Sequence, residues 1–273
     1  MLFTRHDGTK CTDIAPTRAI MPFIMPTRSE SAVYFEQWID LTKTLAFLET
    51  WNAANPERKA TTFHVFLWAA TYSIDQRPRL NRFVIGSRIW QRHGIHLSYA
   101  AKKRLEDGAP LVVLKRKFDP SHSFAQLVDF VYADVKEGRS DKKNHVDKEL
   151  NIFLRIPAPI LRIGVGLVRW LDAWNLLPRS FIDPDPLYCS MFVANLGSVK
   201  LDSAYHHLYE YGNCPFFAAL GRTQTIVTPD GPKQMCSIKY SFDERVEDGL
   251  YCAKGLELLK QRMEDPAGGG TPA

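Results

Sequence analysis

Between residues 236 and 263 the side-chain periodicity of this chain switches from two to 3.6 across a short acidic corner, which dictates a strand that turns directly into a helix. Cys236, Ile238, Tyr240 and Phe242 alternate with Ser237, Lys239 and Ser241, the pattern of a half-buried strand. Cys252, Leu256, Leu259 and Met263 then recur at helical spacing, with Lys254, Glu257, Lys260 and Glu264 on the opposite face. The corner between them reads Phe242-Asp243-Glu244-Arg245-Val246-Glu247-Asp248-Gly249. Upstream, Thr228-Pro229-Asp230-Gly231 has the chemistry of a chain reversal. It predicts a hairpin that joins the strand at 236–242 to one at 223–227.

Three other segments carry the same kind of local signal. Glu30 to Asp40 reads as a strand feeding a helix that starts near Asp40 or Thr42. Phe63, Phe66, Leu67, Ala70 and Ile74 form a helical stripe ahead of Pro78-Arg79-Leu80-Asn81, and Met191 to Gly197 reads as a strand ending in Asn195-Leu196-Gly197. A further helix is expected over 124–135, and a strand running to Ala101 is flanked by His93 and His96.

Taken together and in this order, the landmarks resemble the catalytic domain of the 2-oxoacid dehydrogenase acyltransferases (E2), which shares its fold with chloramphenicol acetyltransferase. The corner is similar to that family's Asp-His-Arg-Val-x-Asp-Gly signature, with Glu244 where the family carries its general-base histidine. Residues 15–265 are covered by the landmarks. The resemblance implies an α/β two-layer sandwich of the chloramphenicol acetyltransferase-like (CoA-dependent acyltransferase) type over 1–265, with a disordered tail at 266–273. It also implies a homotrimer with sites at subunit interfaces, and coenzyme A or an acyl-CoA as substrate. The landmarks begin near Thr17 with no lipoyl-bearing module before them, so the expectation is a freestanding domain without lipoyl attachment.

The same resemblance assigns roles at the site. Glu244 takes the place of the base, and Asn195, beside Ala194 at the strand end, offers an amide in place of the family's oxyanion-stabilising hydroxyl. Asp248 and Gly249 brace the loop, with Arg18 or Arg28 as the arginine that Asp248 holds. Proton removal from a thiol of pKa ~8.5 is uphill by about 2.7 kcal/mol for a histidine near ~6.5 and by about 5.7 kcal/mol for a glutamate near ~4.3. The replacement therefore disfavours conventional transfer by about 3 kcal/mol, and a raised glutamate pKa would narrow that gap. Two functions stay open: an acyl-CoA-dependent acyltransferase that uses Glu244 as base, and a weakly active or non-catalytic trimer that binds a ligand, a protein or a membrane surface.

Composition trims the alternatives. A net charge of +5 is too mild to imply a nucleic-acid partner. The five cysteines (Cys11, Cys189, Cys214, Cys236, Cys252) are widely spaced and form no paired metal-ligand motif, and no secretory signal opens the chain. A cytoplasmic protein with no metal site is expected. His206 and His207 follow the Asn-Leu-Gly segment as possible alternative bases. Lys102-Lys103-Arg104 and Lys115-Arg116-Lys117 stand at the ends of a hairpin turning near 106–108, either to meet the phosphates of coenzyme A or as a solvated basic face.

The segment 150–178 is an apolar insertion relative to the resembled domain. Its Ile160 to Leu177 run is predicted to be helical, with Arg162, Arg169 and Asp172 on a narrow polar strip and Ile163, Leu167, Val168, Trp170, Leu171 and Trp174 around the rest. It is too short and too charged to predict a membrane span. Three readings remain: a helix packed on the core or a neighbouring subunit, a peripheral membrane contact through 160–177, and a lid over an acyl pocket.

Overall fold

A computed structural model of the chain describes residues 4–102, 111–139 and 155–268. The polypeptide begins with β1 (Gly8–Lys10) and two single-turn helices, α1 (Pro16–Ala19) and α2 (Met21–Ile24). Next come β2 (Ala32–Asp40), α3 (Thr42–Ala54), α4 (Thr62–Gln76), β3 (Arg82–Ile85), β4 (Arg88–Arg92), β5 (Ile95–Lys102) and β6 (Leu111–Phe118). The remainder comprises α5 (Phe124–Arg139), α6 (Ala158–Ala173), α7 (Arg179–Ile182), β7 (Met191–Asn195), β8 (Phe216–Thr228), β9 (Gly231–Asp243) and α8 (Gly249–Glu264).

The predicted C-terminal hairpin is present and longer than the alternation alone indicated. β8 and β9 pair antiparallel from Phe216↔Phe242 to Thr228↔Gly231, with a register irregularity between Leu220 and Thr223. Gly231 has φ +107°, a conformation that disfavours any residue with a Cβ. The hairpin forms the middle of a six-stranded sheet of order β2-β9-β8-β7-β5-β6, in which β7 runs parallel to both β8 and β5. A small antiparallel sheet of order β1-β4-β3 stands beside it.

One face of the large sheet packs against α3, α4, α5 and α8, as the stripes require. Cys236, Ile238, Tyr240 and Phe242 from β9 are buried with Cys252, Leu256, Leu259 and Met263 from α8 and with Val65, Phe66, Ala69, Ala70 and Ile74 from α4. Burial of each large side chain contributes about 1.5–3 kcal/mol. α8 approaches closely because Gly255 has no side chain: a Cβ there would lie 2.3 Å from Leu80 Cδ1. On the other face Phe192, Phe217 and Ala219 bury themselves under Leu208, Cys189 and Cys214.

The insertion departs from its expected polar strip. Asp172 points inward and is buried, donated to by Arg5 (2.7 Å) and by the Tyr188 hydroxyl (2.9 Å), while Trp170 and Trp174 face out. None of the residues of α6 lines the cleft of about 1220 Å³ formed by Phe63, Tyr99 and Asn195 among others, so the helix is not a lid over it. Residues 150–154, the hairpin tip at 106–108 with Lys103 and Arg104, and the tail beyond Gly268 lie outside the described residues. Within the tail, 266–268 form a turn in which the Gly268 amide bonds Asp265 Oδ1 at 2.8 Å.

Candidate active site at the acidic corner and the strand-end cavity

The corner is a closed network of backbone and ionic contacts. Leaving β9, the Glu244 N–H donates to the Ser31 carbonyl (3.0 Å), and the Arg18 guanidinium donates to the Glu244 carbonyl. The Asp243 carboxylate accepts two bonds from Arg245, at 2.8 and 2.7 Å, and both side chains are buried. Arg245 also donates to the Met25 carbonyl at 2.9 Å. Glu247, likewise buried, faces Arg82 (3.2 Å) and Arg79 (3.5 Å). Asp248 caps α8, its carboxylate accepting the Tyr251 N–H at 2.8 Å, which satisfies one of the free amides of the first turn.

Arg18 thus meets the corner through the Glu244 carbonyl rather than through Asp248. Arg28 turns away to the carbonyls of Tyr209 (3.0 Å), Glu210 (3.0 Å) and Val84 (3.2 Å). Gly249 is the first helical residue and its φ is not in the left-handed range, so the corner does not depend on glycine there. The Glu244 side chain is half-buried and its carboxylate has no hydrogen-bond partner among the described residues. It is the one acid of the corner left unengaged; Asp243, Glu247 and Asp248 are all committed to the loop.

Beside β5, β7 and β8 lies a cleft of about 1220 Å³. It is lined by the ends of β5 and β7 (Tyr99, Ala100, Ala194, Asn195), by Phe63 and His64 of α4, by Tyr132 of α5 and by His206, Tyr209 and Phe217. Asn195 Oδ1 accepts the Ser198 N–H (3.2 Å), closing a turn at the strand end and leaving the amide nitrogen as the donor. His206 stacks on Phe217 with ring centroids 3.9 Å apart, and burial lowers its pKa.

His64 is the residue of this cleft that the sequence pattern did not mark. Its Nδ1 accepts the Thr61 N–H at 3.1 Å, which places the ring proton on Nε2. Nε2 is buried and has no partner, and burial pushes the pKa down to about 4. The imidazole is held neutral between Phe63 and Tyr132. The available signal was Thr61-Thr62-Phe63-His64 ahead of an apolar helix, a capping-box spacing with histidine in the place of Glu or Gln.

No protein-family model matches the chain, and no curated protein matches it in sequence. Solved structures do. The dihydrolipoamide acetyltransferase (E2p) of Azotobacter vinelandii, in whose catalytic mechanism a serine, a histidine and an asparagine have been investigated, superposes with a TM-score of 0.62 at 16% identity, over 94% of this chain and 93% of that one. The chain has the fold of the E2 acyltransferase catalytic domains. A probable dihydrolipoamide acetyltransferase from Listeria monocytogenes matches with a TM-score of 0.60 at 16% identity, over 97% and 98% of the two chains. A chloramphenicol acetyltransferase matches with a TM-score of 0.53 at 10% identity, over 94% and 96%.

Within this E2-type fold the structure does not bring the two residues assigned to the chemistry together in one chain. Asn195 pairs with Leu220, and Leu220 with Ile238, so Asn195 is level with the middle of β9. Glu244 lies six residues beyond Ile238, roughly 20 Å along the strands at ~3.3 Å per residue. The Lys115-Arg116-Lys117 cluster is also less free than it reads, while the side chains of Lys102-Lys103-Arg104 lie outside the described residues. Lys115 donates to the carbonyls of Ile182 (3.0 Å) and Asp185 (3.1 Å), and Arg116 pairs with Asp134. His93 is held by Thr9 (2.8 Å) and the His6 carbonyl (2.9 Å). Among the described residues no group of three or more His, Cys, Asp and Glu is placed to hold a metal.

Proposed function

We propose that this protein is a cytoplasmic E2-like acyltransferase homologue that binds an acyl-CoA thioester and works as a homotrimer, with weak or absent conventional acyl transfer. The separation of Asn195 from Glu244 carries the reading. A cleft with an amide donor level with the middle of β9 and an unengaged carboxylate beyond the end of that strand make complementary halves of a site, to be completed when the Glu244 corner of one subunit faces the Asn195 cleft of the next.

The reaction that such a site would run is removal of a proton from a thiol by Glu244 and attack of the thiolate on the thioester carbonyl. The developing oxyanion would be met by the Asn195 amide; its collapse would break the C–S bond to coenzyme A, and the leaving thiolate would take the proton held by Glu244. An anionic Glu244 repels the forming thiolate, and Ala194 supplies no hydroxyl, so the expected rates are low.

Wild type and Glu244→Gln are to be compared over a pH range with a panel of acyl-CoA donors and small thiol acceptors, with light scattering on both. A mass of about three chains and little turnover in either form is the expected result. Robust wild-type turnover that disappears in Glu244→Gln with the trimer intact would establish the carboxylate as base and overturn the weakly active reading. A stable monomer at micromolar concentration would overturn the shared site.

A further inference from the structure

α6 presents its apolar side to solvent. At the ~100° per residue of an α-helix, Ile163, Leu167, Trp170 and Trp174 fall within about 60° of one another, directly opposite Asp172. Their relative exposures are 72%, 54%, 54% and 42%. Arg162 and Arg169 stand together on one flank of this stripe, both exposed, and Arg155 precedes the helix. None of the three arginines has an acidic partner among the described residues, and the one acid of the helix is turned inward onto Arg5.

Among the described residues the helix is fixed to the body through its C-terminal half. Asp172 is buried between Arg5 and Tyr188, and Leu171 and Val168 pack on Leu177, Ile182 and Tyr188. The Ala173 carbonyl closes against Gly86, where a Cβ would stand 2.3 Å away and φ is +58°. Further toward the N-terminus a Cβ on Gly164 or Gly166 would meet nothing within 4 Å. α2 borders the same small cavity as this anchored end and exposes Phe23 and Ile24.

We propose that this face is a membrane-surface anchor, in which α6 lies in the headgroup region of an anionic bilayer with Ile163, Leu167, Trp170 and Trp174 inserted. Three features select lipid over protein. Two tryptophans on an apolar stripe suit the interface between headgroups and acyl chains. The exposed arginines on the flank complement anionic headgroups. A second copy docking its own stripe by an antiparallel two-fold contact would instead bring those arginines against their like. Among the described residues no helix is long and apolar enough to cross a membrane, so the contact is in the plane of the surface. The anchor is independent of whether the site performs acyl transfer.

The test is co-sedimentation of the full chain with phosphatidylcholine vesicles and with vesicles containing phosphatidylglycerol, at physiological salt, with circular dichroism and light scattering on every variant. Wild type binds the anionic vesicles with a blue shift of tryptophan emission. Ile163→Glu with Trp170→Glu weakens binding at least tenfold, and Arg162→Gln with Arg169→Gln weakens it roughly 25-fold, about fivefold per arginine near an anionic surface. Absence of wild-type binding would overturn the proposal, and apolar-stripe variants that lower the oligomeric mass would overturn it by assigning the face to another copy of the chain.

Discussion

Replacing His64 by glutamine isolates the energetics of the cleft. Glutamine at the third position of a capping box accepts the Thr61 N–H as Nδ1 does, so the start of α4 survives. What disappears is a group whose pKa is about 4 in the folded chain and about 6.5 unfolded. The folded value is the depressed one, so the unfolded chain takes up the proton first as pH falls. Stability from this site is therefore constant above about pH 7 and is lost between pH 6.5 and 4. At pH 5 the loss is about 2 kcal/mol, rising to about 3 kcal/mol at pH 4. Urea unfolding of wild type and His64→Gln at pH 7.5 and 5.0, at one protein concentration, reads it as a difference of differences in which the other titrating groups cancel. The variant should lose about 2 kcal/mol less than wild type over that interval. Equal losses in both proteins, or a His64 ring that titrates near 6.5 by NMR, would refute the neutral, buried donor placed in the cleft.

Arg5→Met should destabilise the chain by about 3–5 kcal/mol in the same assay at pH 7.5, because it strands Asp7 and Asp172 without the cation between them. Burial alone would raise the Asp7 pKa, but bonding to Arg5 outweighs it and holds it below the usual range; without Arg5 burial prevails, so the deficit should shrink as pH falls and the stranded Asp7 carboxylate protonates. Asp248→Ala should cost about 1 kcal/mol through loss of the α8 cap, and Asp248→Asn should recover most of it. An arginine-holding role for Asp248 would instead leave the asparagine variant as damaged as the alanine one.

The elements at both ends of the chain were legible because their periods are local properties. Cys236 to Phe242 must face one side of a strand and Cys252 to Met263 one side of a helix, whatever the rest of the protein does, and the acidic corner between them follows from their junction. The E2-type topology was legible only through the order of such landmarks. The chemistry of the corner was not. Nothing local says that Asp243 takes Arg245, that Asp248 spends its carboxylate on the Tyr251 amide, or that Arg18 reaches a carbonyl 226 residues away. His64 was hidden for the same reason, since its burial comes from Tyr132 and the apolar walls of the cleft.

The insertion shows the division most clearly. Sequence alone determined that α6 is a helix with apolar residues around most of its circumference, because hydropathy and helical spacing are written along the chain. Which side faces the body was decided by tertiary structure: Arg5 buries Asp172, so a single ion pair rotates the tryptophans outward. Periodicity fixes the angles between side chains on one element, and only a partner from a distant part of the chain fixes where that element points.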